Sequence, residues 1–112
     1  MEKISSIPEP APINVGVPIP DALRAFIAAS KMVDDDHKKQ LIQLVTERDN
    51  FGRKKYGQPL MSHDGRNGVE DARQELGDLL QYVFKCRLAK QDTTELEDTL
   101  LAAFDLFNEM FC

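Results

Sequence analysis

The chain contains no tryptophan and only two cysteines among its 112 residues. Cys86 and Cys112 are too few for a disulfide framework, so two free thiols in a cytosol-like compartment are expected. No apolar run approaches the roughly 18–20 residues a membrane-spanning helix needs, and no membrane association is expected. Positive charge is not in excess either: the net charge is −5 at pH 7. That balance argues against a general nucleic-acid surface, although a local basic patch can still meet a phosphate. The charged-then-apolar pattern of a leader is missing, since Met1-Glu-Lys-Ile-Ser is followed by prolines. A cytoplasmic location is the matching expectation. No stretch alternates polar and apolar residues with a period of two, and no internal repeat or Cys/His metal pattern is visible.

What is present fits one helical domain. Residues 1–20 hold five of the six prolines (Pro8, Pro10, Pro12, Pro18 and Pro20) and read as an extended segment across the surface or a partner subunit. Residues 21–112 read as the helical domain. Asp21 looks like a cap for a short helix with Leu23, Phe26 and Ile27 on its apolar face. Asp34-Asp-Asp36 opens a second helix to about Tyr56, with Leu41, Leu44, Val45 and Phe51 as its stripe. Residues 57–66, with Gly57, Pro59 and Gly65, form a loop. Asn67 and Glu70 resemble a capping box for a third helix to about Lys90, buried through Ala72, Leu76, Leu79, Val83 and Cys86. Asp92-Thr-Thr-Glu95 caps a fourth, whose seam is Leu96, Leu100, Phe104, Phe107 and Phe111. The expectation is all-α: three long helices and one short one.

On the third helix, Asp71, Glu75 and Asp78 are spaced four and three apart and share one face. None has a basic residue three or four positions away on its own helix. Neighbouring carboxylates repel by roughly 0.2–0.5 kcal/mol per pair when exposed, and more when buried. Compensation must come from outside the helix, and a divalent cation with oxygen ligands is the economical candidate. The stripe is expected a quarter-turn from the centre of the apolar side. Glu47 on the second helix also lacks a basic residue three or four positions away and shares a polar face with Gln43, Asn50 and Lys54. Antiparallel packing of the two helices brings Glu47 opposite Glu75 and Asp78. Asp71, near a helix start, is also accounted for by the macrodipole alone.

Glu47-Arg-Asp-Asn-Phe-Gly-Arg-Lys-Lys-Tyr-Gly57, Leu60, Gly65-Arg66 and Asp71-Ala-Arg-Gln-Glu-Leu-Gly-Asp78 together resemble MazG-like members of the all-α nucleoside triphosphate pyrophosphohydrolase superfamily, in their compact phage and bacterial form. The resemblance covers residues 40–90. The superfamily pairs a Glu-x-x-Glu with a Glu-x-x-Asp on the next helix. Glu75-Leu-Gly-Asp78 matches the second half. Glu47-Arg-Asp-Asn50 matches the first with Asn50 in place of an acid, and Gln74 also replaces an acid common in relatives.

The resemblance implies a MazG-like bundle that cleaves a nucleoside triphosphate to monophosphate and pyrophosphate with Mg²⁺, or Mn²⁺ as the alternative ion. It also implies a homodimer or homotetramer. Carried over, Glu47, Glu75 and Asp78 are the expected catalytic residues. They are also the expected metal ligands, with Asn50 and Asp71 beside them. Lys54, Lys55, Arg66 and Lys85 are the expected phosphate contacts, and Tyr56 or Phe51 is expected to stack on a base. One alternative is a relative acting on deoxyuridine nucleotides or phosphoribosyl-ATP. Another is a helical oligomerisation module left inactive by Asn50.

Overall fold

The computed structural model describes residues 11–111. The expectations for residues 1–10 and for Cys112 lie outside them. Among the described residues there are four helices: α1 (Ile19–Ala29), α2 (Asp35–Tyr56), α3 (Gly68–Leu88) and α4 (Thr94–Phe111). Among the described residues there is no strand, only an isolated antiparallel bridge between Pro18 and Met61. The all-α expectation of three long helices and one short one is met. The chain forms two compact units, residues 11–66 and 67–111 of those described.

In the first unit, residues 13–19 run extended along the 58–64 loop. The amides of Ile13 and Ile19 donate to the carbonyls of Asp64 (3.0 Å) and Leu60 (2.7 Å). In return, Ser62 and His63 donate to Val17 (2.9 Å) and Val15 (3.0 Å). Gly16 is required in this clasp. Its φ is +97°, and a Cβ there would come within 2.2 Å of Ser62 Oγ and 2.6 Å of His63 Nδ1.

The clasp changes where α1 begins. Pro20 is tolerated in the first turn, where an amide would lack a partner anyway, and Pro18 takes the N-cap position. Asp21, expected as the cap, therefore sits inside the first turn and pairs with Arg24. The helix α2 starts and stops as expected. Asp34 accepts from the His37 amide at 2.9 Å, and Gly57 closes the helix in the left-handed region at φ 75°. That amide bond to His37 is the main reason the Asp34 carboxyl titrates below 3.8.

α1 packs on α2, and among the described residues Ile27 and Met61 are the buried hydrophobic residues of this unit. A polar tie joins the two helices as well. Asp49, its side chain only 5% exposed, accepts from Arg24 NH1 at 3.3 Å and from Arg53 Nε at 2.9 Å. Arg24 also reaches Thr46 Oγ1 at 3.4 Å.

In the second unit, Asn67 caps α3 by accepting from the Glu70 amide at 3.1 Å. Asp92 accepts from the Thr94 amide at 3.2 Å where α4 begins. Arg87 joins the two helices through Glu97 at 3.1 Å, and Val83 is the buried hydrophobic residue.

The expected apolar faces are only partly covered. Leu41, Leu44 and Phe51 on α2 are exposed, as are Ala72, Leu79 and Cys86 on α3 and Leu96 and Phe111 on α4. Each unit pairs two helices, so a helix face turned away from its one neighbour has no layer over it within the unit.

Asp49→Ala is expected to lower the unfolding free energy by about 1–3 kcal/mol, because two guanidiniums lose their shared acceptor. Urea denaturation measures this, with Glu47→Ala as a surface control expected within about 0.5 kcal/mol of the parent.

Candidate functional site

Glu47, Asn50, Lys54, Lys55 and Glu75 are exposed, whereas Asp71 and Asp78 are half-buried. On α3 the covered apolar residues are Val69, Leu76, Leu80 and Val83 rather than the line centred on Leu79. At about 100° per residue, that line lies roughly opposite Asp71, Gln74 and Asp78. Asp71 and Asp78 therefore lie not a quarter-turn from the apolar centre but across the helix from it, while Glu75 stays roughly a quarter-turn away. Even so, Asp71, Gln74 and Asp78 form a half-buried polar row.

The members of this row are satisfied unequally. Asp71 has a partner. Among the described residues, the side chains of Glu75 and Asp78 have no hydrogen-bond or ion-pair partner. Gln74 Nε2 donates to Glu70 at 3.3 Å, while its Oε1 is buried with no hydrogen-bond partner. Among the described residues, no three His, Cys, Asp or Glu side chains gather into a set able to hold a metal ion.

On α2, Glu47 accepts only from Gln43 Nε2, at 3.2 Å. Gln43, Glu47, Asn50 and Lys54 fall on one face at helical spacing, as expected. Val45, Asp49, Gly52 and Tyr56 fall on the opposite face. Three expected substrate contacts gather at the end of that second face. Lys55 Nζ lies 5.2 Å and Arg66 Cζ 5.7 Å from the centre of the Tyr56 ring. Hydrogen bonding from Arg66 lowers the Tyr56 phenol below 10.0; partial burial opposes this, and Lys55 adds to it. Two cations around one phenol make a local positive centre in a chain of net charge −5. Lys54 does not join this cluster by helical position. Lys85, on α3, is exposed beside Leu80, Phe84 and Leu88.

The loop that carries Arg66 is held from within. Asp64, 5% exposed, accepts the Arg66 amide at 3.0 Å through Oδ1. His63 is exposed, as expected for a polar loop, with Nδ1 2.8 Å from Ser62 Oγ. Asp49 and Asp64, the two buried acids, were not among the expected site residues. The four-residue spacing of Asp49 and Arg53 is the signal that could have marked the first. Comparison with protein-family models, curated proteins and solved structures finds no match.

The cluster predicts a measurable titration. In a Tyr82→Phe background, which leaves Tyr56 as the one remaining tyrosine of two, ultraviolet absorbance should show phenol ionisation below pH 10.0. Arg66→Met should move the midpoint upward; an unmoved midpoint would detach Arg66 from Tyr56.

Proposed function

We propose that the chain is a Mg²⁺-dependent nucleotide pyrophosphohydrolase, with Glu75 and Asp78 holding the ion and Glu47 the α2 carboxylate assigned with them on the family resemblance. The observation that carries this reading is the uncompensated pair on α3. Asp78 is half-buried, Glu75 stands three residues before it, and among the described residues neither side chain has a partner. A carboxylate pair in that state favours a bound cation.

The donors fit the ion. Mg²⁺ takes oxygen ligands and is commonly held by one or two carboxylates together with waters and substrate phosphates. Two carboxylates suit that pattern, and the unpartnered Oε1 of Gln74, one helical turn before Asp78, is a further oxygen donor on the same row. Asp71, which already has a partner, is assigned a supporting role. When bound, Mg²⁺ neutralises charge on phosphate oxygens and lowers the pKa of a coordinated water. The protein's own contribution is to fix the carboxylates on a rigid helix and to supply cations for the phosphates. Lys54, which shares the Glu47 face, is assigned that role on the family resemblance. Lys85, on the same helix as the acids, is assigned with it. Asn50, also on the Glu47 face, offers a carbonyl oxygen without charge.

We assign the active form to a homo-oligomer as well. Phe84 (49% exposed), Leu88 (68%) and Met110 (66%) leave the second unit with apolar surface that a second copy would cover. A cytoplasmic location belongs to the same reading.

The decisive assay is pyrophosphate release from a panel of nucleoside triphosphates with and without Mg²⁺. Release that requires Mg²⁺ is expected; no turnover of any nucleotide at several metal concentrations would overturn the assignment. Glu75→Gln should reduce turnover by more than about 100-fold, beyond the usual cost of losing a residue that merely orients a ligand. Circular dichroism should show its helix content retained, and near-normal activity would remove Glu75 from the ion. Asn50→Glu should preserve or raise Mg²⁺ affinity, and weakening seen by calorimetry would place Asn50 away from it.

A further inference from the structure

The two tyrosines of the chain, Tyr56 and Tyr82, differ in their surroundings rather than in their access to solvent. Tyr56 is 45% exposed and Tyr82 56%, so exposure gives Tyr56 no advantage towards a reagent in solution. Charge does. Lys55 Nζ lies 5.2 Å and Arg66 Cζ 5.7 Å from the centre of the Tyr56 ring. Among the described residues no lysine or arginine stacks on Tyr82.

The two cations reach Tyr56 by separate routes. Lys55 precedes it in the last turn of α2. Arg66 stands on the loop that Asp64 holds by accepting the Arg66 amide at 3.0 Å, so its place beside the ring depends on the fold. Both cations hydrogen-bond to the phenol and lower it below 10.0, Arg66 more than Lys55. A phenol attacks as its phenolate, and donors aimed at the oxygen favour that form. The same donors stabilise the anionic oxygens that develop on an attacked tetrahedral centre.

We propose that Tyr56 is a nucleophilic phenol, the preferred site in this chain for O-modification by electrophiles centred on tetrahedral sulfur or phosphorus. With an arylsulfonyl fluoride the step balances as follows. The phenolate oxygen bonds to sulfur, the S–F bond breaks and fluoride leaves with the electron pair. The phenolic proton passes to the buffer, and the product is an aryl sulfonate ester on Tyr56. A fluorophosphate diester follows the same course at phosphorus. Lys55 and Arg66 are positioning residues, since neither forms a bond to the reagent. The proposal is independent of nucleotide hydrolysis, because the step needs neither Mg²⁺ nor a nucleotide.

The test is limited labelling of the full chain with benzenesulfonyl fluoride at mildly alkaline pH, followed by peptide mapping with mass spectrometry. Tyr56 should be labelled at least about threefold faster than Tyr82, a larger phenolate fraction being partly offset by weaker intrinsic nucleophilicity. Equal rates, faster labelling of Tyr82, or label carried chiefly by lysines would overturn the proposal. Lys55→Met and Arg66→Met should each slow labelling of Tyr56 and leave that of Tyr82 unchanged; if neither slows it, the cations are not the cause and the proposal fails. The unaltered chain in urea supplies a control that relies on no variant. There the preference for Tyr56 should vanish, because Arg66 is no longer held beside the ring. A preference that survives unfolding would belong to the local sequence and overturn the structural reading. Diisopropyl fluorophosphate repeats the comparison at phosphorus, where the same order of rates is expected and the reverse order would remove phosphorus from the proposal.

Discussion

Asp49 has given up nearly all its contact with water, and a carboxylate in that position must find its compensation inside the protein. It finds two guanidiniums, one on the neighbouring helix and one a turn later on its own. The network is one of the ties between α1 and α2. Its net value is smaller than its charges suggest, because burying ions is costly. Its geometric value is larger. Arg24 must reach across from α1 at a defined register, and that register places Ile19 and Leu23 over the face of α2 that holds Gly52.

A second constraint acts at the other end of α2. Gly57 ends the helix in the left-handed region and the chain enters a loop that residues 13–19 line on one side. Asp64 then turns the loop by accepting the amide two residues on. The result brings Arg66 back to Tyr56, ten residues earlier in the chain. The positive centre there is thus a product of backbone hydrogen bonding as much as of side-chain chemistry. A cation on a loop is usually mobile; this one is positioned by its own amide.

Features governed by local chemistry were legible in the sequence. Asp34, Gly57 and Asn67 end or begin helices because their side chains or φ angles suit those positions, whatever the rest of the chain does. The glycine- and proline-bearing loop followed for the same reason. Features that depend on which neighbour covers which face were not legible. Periodicity on α3 was satisfied by Leu79 as well as by Leu80, and only packing selects Leu80 as the more covered. That choice of line turns the acids about 50° relative to the apolar side. Asp21 was misplaced as a cap because the clasp at Ile19, a pairing across forty residues, starts the helix early. Asp49 lay hidden inside a motif read for Glu47 and Asn50, and a charged residue between Arg48 and Asn50 reads as surface until a third dimension buries it.

Helix α2 therefore serves two purposes on two faces. One face is polar and exposed, with Glu47, Asn50 and Lys54 available to solvent. The other carries the buried Asp49, the open wall at Gly52 and Tyr56 with its two cations. The apolar stripe of α2, Leu41, Leu44, Val45 and Phe51, is largely exposed and adds little to hold the helix. Its order must come from elsewhere: the cap at Asp34, the Asp49–Arg53 pair one turn apart, and basic Arg53, Lys54 and Lys55 in the last turn, where they oppose the negative end of the macrodipole. These small terms substitute for burial. A helix stabilised along its own length leaves its polar face exposed, the face to which we assign the phosphate chemistry, while α1 packs against the other through Arg24 and Asp49.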